Sequence, residues 1–138
     1  MKTNYDKVYE FHKIFRAKIS GYPQIIDDST ADLRISLIRE EFDELIEAIN
    51  HNDIVGIADA LTDILYVTYG AGVSYGIDLN KCFEEVHRSN MTKLDENGNP
   101  IFREDGKVLK SKLYEPPDLR RVVEEQIEQG KRIRTVEN

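Results

Sequence analysis

One cysteine, no tryptophan, two methionines and four prolines leave this 138-residue chain few devices for stapling or interrupting a fold. Cys82 has no second thiol, which excludes an intramolecular disulfide framework and makes it a packing residue. No apolar signal region opens the sequence, so a reducing, cytoplasmic setting is expected. Positive charge is missing over a long interval, with no Lys or Arg between Arg39 and Lys81. The remaining basic residues are scattered or confined to the C-terminal third. With 19 basic against 26 acidic residues and a formal charge of −7, general affinity for a nucleic-acid polymer is excluded, while a small phosphorylated ligand stays compatible. The run Ile54 to Tyr75 has the length of a membrane span, but Asp59, Asp63 and its glycines favour a buried core helix and no membrane partner. The length suits a single domain over residues 1–138, large enough to bury roughly 68% of the unfolded chain's surface without staples.

What the chain does have is carboxylates in a pattern. Glu40, Glu41 and Glu44 are followed by Asp59 and Asp63 inside the apolar run. At 100° per residue Glu41 and Glu44 fall between Leu33, Leu37 and Ala48, on the face opposite Ser36, Arg39, Asp43, Glu47 and Asn50, with Glu40 on the border. Both glutamates are therefore expected to point inward. Asp59 and Asp63 are one turn apart and share a face of a helix with almost no water-facing stripe, which is expected to be largely buried. Ionised carboxylates in such a place repel one another and lose hydration, at several kcal/mol each unless something compensates. Local sequence supplies no cationic side chain, and a hard, oxygen-preferring divalent ion such as Mg2+ or Mn2+ answers the need better than a salt bridge. Alone, an E-E-x-x-E group in so charged a chain would read as a solvated helix face; the aspartates in the apolar run shift the balance.

Taken in order, the chain predicts an amphipathic helix from about Asn4 to Ile19, with Tyr5, Val8, Phe11, Phe15 and Ile19 along one stripe and Gly21-Tyr22-Pro23 ending it. His12, near that stripe, reads as packed or surface rather than as a ligand. Asp28, Ser29 or Thr30 is expected to cap the helix of the first acidic group, which runs to about Asn50, and His51-Asn52-Asp53 makes the turn. Gly70, Gly72 and Gly76 allow close helix approach or an end near Tyr75. Asp78 caps a fourth helix with Leu79, Cys82, Phe83, Val86 and His87 on one side. After Asn90, Asn97-Gly98 marks a turn and Asp105-Gly106 a small hairpin between Ile101-Phe102-Arg103 and Lys107-Val108-Leu109. Pro117 or Asp118 starts a last helix, Gly130 closes it, and the basic tail is expected to fray. Four helices with short connections read as an all-α antiparallel four-helix bundle with a small loop excursion and a C-terminal helix.

Glu40-Glu41-Phe42-Asp43-Glu44 followed by Asp59 and Asp63 resembles the E-E-x-x-E then E-x-x-D signature of the all-α nucleoside triphosphate pyrophosphohydrolases, the MazG-like group that includes phosphoribosyl-ATP pyrophosphohydrolase and helical dUTPases. Glu85 to Lys93, Arg103 to Leu109 and Pro116-Pro117-Asp118-Leu119 look like its phosphoribosyl-ATP pyrophosphohydrolase-like branch, and the resemblance runs from about Ser29 to Leu119. In one place the chain departs: Ala60 stands where the signature has Glu, and the nearest acid is Asp59, four residues before Asp63.

The resemblance implies a helical bundle that assembles as a homodimer or dimer of dimers, binds Mg2+ (or Mn2+), and cleaves a nucleotide between its α and β phosphates. On it, Glu41, Glu44 and Asp63 are the metal ligands, with Asp59 next, and Glu40 orients or deprotonates the attacking water. Arg88, Asn90 and Lys93 match the downstream polar cluster that reaches phosphate or base, and Lys107 and Tyr114 are further candidates for closing the pocket. Two readings from other classes remain open at this point. Ala60 leaves room for a non-catalytic nucleotide or metal sensor of the same fold. Glu84 and His87 form E-x-x-H, as in di-iron carboxylate bundles, though the second such motif that architecture needs is missing. The base and sugar of the substrate are not readable.

Overall fold

The computed structural model describes residues 1–137, with side chains as far as Ile133. Five helices carry the fold: α1 (Asn4–Phe15), α2 (Asp28–Asn50), α3 (Ile54–Tyr75), α4 (Leu79–Met91) and α5 (Leu119–Glu137). Between the last two, β1 (Ile101–Phe102) and β2 (Val108–Leu109) pair antiparallel, Ile101 opposite Leu109. The architecture is an all-α helical bundle in which α1 and α2 pack on α3, and α4 packs on α5.

Each helix start is written in a capping side chain. Thr3 and Asp6 form a reciprocal capping box at α1. Asp27, one residue before the expected caps, accepts from the Thr30 amide and from the Ser29 and Thr30 hydroxyls. Those bonds hold its carboxyl down to about 2. Asp53 caps α3 through the Gly56 amide and Asp78 caps α4 through the Asn80 amide. Gly76, at φ 74°, ends α3 in the left-handed conformation that a residue with a Cβ adopts at a cost.

The first helix stops at Phe15, short of the expected Ile19. Arg16 turns left-handed at φ 61°, and the Ala17 amide returns to the His12 carbonyl. The reversal brings the Lys18 carbonyl to 3.0 Å from His12 Nδ1. The connecting segment then caps the last carbonyls of α3: Ser20 donates to Val73 and Ser74, and the Gln24 amide to Tyr75.

Three further expectations are corrected. Gly130 does not close α5, which continues past it to Glu137; a Cβ there would lie 2.5 Å from Tyr22 Cβ, so this glycine admits the α1–α2 connection rather than a helix end. The backbone is described as helix as far as Glu137, and Asn138, the end of the tail expected to fray, lies outside the described residues. On α4 the buried positions are Glu85 and Ser89, while Phe83 is 74% exposed and His87 is exposed. The third concerns α3, which is not largely buried in the single chain. Only Ala60, Gly70, Gly72, Val73 and Ser74 are, whereas Ile54 and Val55 are each 75% exposed, with Leu61, Leu65 and Tyr66 also open. By length and composition α3 could cross a membrane.

Candidate metal centre

The turn His51-Asn52-Asp53 sends α3 back along α2, and two close approaches fix the pairing. A Cβ on Gly56 would meet Ala48 at 3.2 Å, and one on Gly70 would meet Arg34 Nη1 at 2.5 Å. Glu41 lies midway between Arg34 and Ala48, and Asp63 midway between Gly56 and Gly70, so the helical repeat sets these two carboxylates opposite each other. Glu44, nearly one turn along, completes the group. Glu41, Glu44 and Asp63 each offer an oxygen, all within 4.8 Å of one another.

Glu41 is half-buried, and its Oε2 is shielded from solvent without a hydrogen-bond partner. Desolvation, then a hydrogen bond shared with Glu44, then the charges of Glu44, Asp63 and Asp59 push its pKa up to about 7. A shielded, unpartnered carboxylate oxygen facing two further carboxylates is what a hard divalent cation satisfies. Oxygens at about 2.0–2.1 Å from Mg2+ lie up to roughly 4 Å apart, close to the 4.8 Å within which this trio already gathers its oxygens. The residues present therefore fit the ion.

Exposure differs from the expected inward orientation. Asp63 is half-buried like Glu41, but Glu44 and Asp59 are exposed in the single chain. Asp59 and Glu44 share the wall of a cleft of about 400 Å³ that continues past Glu47, His51 and Asp53. Ala60, where the signature has Glu, is 1% exposed and belongs to the core, so the acid displaced to Asp59 addresses the cleft. Glu40 is exposed on α2.

The downstream polar residues form a separate constellation. Arg88 donates from Nε and Nη2 to Glu85 at 2.7 and 3.0 Å, and from Nη1 to Glu115 at 3.0 Å. Its guanidinium is thus committed to carboxylates on both sides. Ser89 and Thr92 bind the backbone of Glu115, and Ser111 binds the Thr92 carbonyl, which sets Lys93 and Tyr114 in neighbouring segments. Asn90 and Lys107 are exposed, Lys93 and Tyr114 half-exposed, and Lys110 Nζ stands 4.6 Å over the Tyr114 ring. No hydrogen bond or ion pair joins this constellation to the carboxylate trio among the described residues. Glu84 and His87 are both exposed on α4, outside the trio.

Two participants were not singled out from sequence. Glu85 is only 6% exposed and takes hydrogen bonds from Arg88 and the Asp118 amide, with Arg121 at 3.7 Å; these hold its carboxyl down to about 2. Its i,i+3 spacing to Arg88 was the available signal. Arg34 sits against His12 and Gly70, and only its two-turn spacing from Glu41 pointed to it.

Comparison with known proteins covers the same segment. A family model described as phosphoribosyl-ATP pyrophosphohydrolase matches residues 8–90, which take in the whole carboxylate group. An uncharacterized protein of Acanthamoeba polyphaga mimivirus is 35% identical over 132 residues, covering 88% of this chain and 48% of that protein. The chain spans about half the length of the curated relative it matches.

Proposed function

This chain belongs to the phosphoribosyl-ATP pyrophosphohydrolase family, and on that premise we propose that it is a cytoplasmic, metal-dependent nucleoside triphosphate pyrophosphohydrolase acting in control of the nucleotide pool. The reaction joins a water oxygen to the α phosphorus and breaks the bond from that phosphorus to the α–β bridging oxygen, giving a nucleoside monophosphate and diphosphate. The observation that carries the reading is the shielded, unpartnered Oε2 of Glu41 within a carboxylate trio.

Glu41, Glu44 and Asp63 hold Mg2+, or Mn2+ in its place, with Asp59 contributing from the cleft. A bound divalent ion supplies Lewis-acid stabilisation of charge on the phosphoryl oxygens. Glu40, exposed on α2 and next in sequence to Glu41, orients the attacking water and takes its proton. Asn90, Lys93, Lys107 and Tyr114 contact the nucleotide. Arg88 serves them through its bonds to Glu85 and Glu115, which fix the end of α4.

The apolar residues left open on α3 and α2 support a homodimer, or a dimer of dimers, built on this face. Ile54, Val55, Leu61, Leu65, Phe42, Ile46 and Ile49 are all exposed in one chain, and burying such a side chain contributes roughly 1.5–3 kcal/mol.

A panel of ribo- and deoxyribonucleoside triphosphates, with phosphoribosyl-ATP, assayed with Mg2+ and Mn2+ for paired release of monophosphate and diphosphate tests the activity. Release from at least one member, abolished by chelation, is expected. Metal-dependent nucleotide binding without turnover across the panel would overturn the enzymatic reading in favour of a sensor.

A further inference from the structure

The α2–α3 pair carries a cation whose surroundings are built but whose charge is not answered. Arg34 is half-buried, and no carboxylate pairs with it among the described residues. Its Nη1 stands 3.3 Å from His12 Nε2. His12 is 3% exposed, and its Nδ1 lies 3.0 Å from the Lys18 carbonyl. A carbonyl only accepts, so Nδ1 carries the proton and Nε2 presents a lone pair to Arg34. Gly70 leaves the space Nη1 occupies, since a Cβ there would be 2.5 Å from it and 3.1 Å from His12 Nε2.

One corner of the guanidinium is thereby fixed and its other edge is left without a partner. Nε is shielded from solvent and has no hydrogen-bond partner; Nη2 has none either, and is not shielded. That Nε–Nη2 edge is the fork with which arginine binds an oxyanion through two parallel bonds. Burial alone lowers the pKa of Arg34, in keeping with a desolvated cation that has no counter-charge. Arg34 lies two turns before Glu41 on the same face, roughly 10 Å along the axis, and Gly70 lies two turns beyond Asp63. No Lys or Arg occurs from Glu40 to Asn80, and Arg39, the other basic residue in the sequence of these two helices, is exposed on the face opposite Glu41 and Glu44, so on the trio's side of α2 Arg34 is the cation nearest in sequence.

We propose that the unpartnered edge of Arg34, entered from its accessible Nη2 end, receives the terminal phosphate of the substrate, which leaves as part of the diphosphate, with His12 and Gly70 acting as positioning residues for the guanidinium. This rests on the pyrophosphohydrolase reading and adds to it a direction: the polyphosphate runs along α2 and α3 from the carboxylate trio toward Arg34. The nucleoside then lies on the far side of the trio, toward the cleft lined by Glu47, His51 and Asp53.

Diphosphate itself is the probe, because it needs no knowledge of the base. In the wild-type chain with Mg2+, titration with diphosphate should shift the Arg34 Nε–H resonance in a 15N-resolved NMR spectrum, assigned through its side-chain connectivity to the Arg34 backbone. By calorimetry, Arg34→Gln should bind Mg2+ alone as the wild type does but Mg2+-diphosphate at least about tenfold more weakly, and Arg34→Lys, which keeps the charge without the fork, should fall between. Diphosphate that binds the wild type without moving the Arg34 resonance, or binds both variants as tightly, would overturn the proposal and leave the parent reading standing. A wild-type chain that binds Mg2+ but no diphosphate would overturn the proposal, and the parent reading fails separately, on the absence of paired monophosphate and diphosphate release. The NMR arm needs only the wild type to be folded, so a variant that fails to fold does not remove the test.

Discussion

At Asp63, replacing the carboxylate by an amide deletes a charged ligand with little change in volume. Asp63→Asn is expected to abolish most metal-dependent turnover and weaken Mg2+ binding by at least about tenfold while leaving helical content intact. Calorimetry and circular dichroism check the two halves, and wild-type Mg2+ affinity in the variant would remove Asp63 from the site. Glu41 and Glu85 make opposite statements about pH. The Glu41 pKa rises from 4.5 to about 7 in the metal-free fold, so between those values the folded state keeps a proton that the unfolded chain has released. Its contribution to stability is complete below pH 4.5 and is lost as pH rises through 7. Glu85 falls from 4.5 to about 2, so its contribution is present above 4.5 and is lost as pH drops toward 2. Metal-free melting curves should show both slopes; Glu41→Gln should flatten only the upper one and Glu85→Gln only the lower. Glu41 and Glu44 were legible as neighbours because helical spacing sets them on one face, and their grouping with Asp63 on the next helix was what the family resemblance implied. Arg34 with His12, 22 residues apart, and Glu85 with the Asp118 amide, 33 apart, were not, because their pairing exists only once separate elements meet.

At the scale of elements, α2, α3 and α4 ended close to where their caps and turn residues put them, since those signals act over three or four residues. Where a tertiary contact decided the outcome, local reasoning failed. Ile19 continues the apolar stripe of α1, yet Arg16 ends the helix so that the Lys18 carbonyl can reach His12. Apolar spacing on α4 selected the side bearing Phe83, but the packed face follows Glu85 and Ser89, whose partners lie in the segments entering α5. Gly130 carries a measurable consequence. In a free helix interior, Gly→Ala adds about 0.8–1 kcal/mol of stability. Here the new methyl would sit 2.5 Å from Tyr22 Cβ and 2.9 Å from the Gly21 carbonyl. Gly130→Ala is therefore expected to destabilise by about 1–3 kcal/mol in chemical denaturation, and a gain in stability would mean that the contact with the α1–α2 connection is dispensable.

For the whole molecule, the described core of one chain is thin: Val8, Ala48, Ala60, Val73 and Val122 are its buried apolar residues. The strong hydrophobicity of α3 was read correctly, but its cover was sought within the chain, and the single chain leaves one side of the helix open. Sequence periodicity reports that a face will be covered without saying by what. A homodimer is the expected cover, and sedimentation at micromolar concentration should find no stable 16.0 kDa monomer. Leu65→Glu on that open face should shift the equilibrium toward single chains; a wild type that sediments as a monomer would contradict the assembly. The central claim is attack of water at the α phosphorus, directed by Glu41, Glu44 and Asp63, and one measurement addresses it most directly. Hydrolysis of an accepted triphosphate in 18O-labelled water with Mg2+ should place the label in the nucleoside monophosphate and leave the diphosphate unlabelled, with no turnover when the metal is withheld. Label in orthophosphate, with nucleoside diphosphate accumulating, would contradict it.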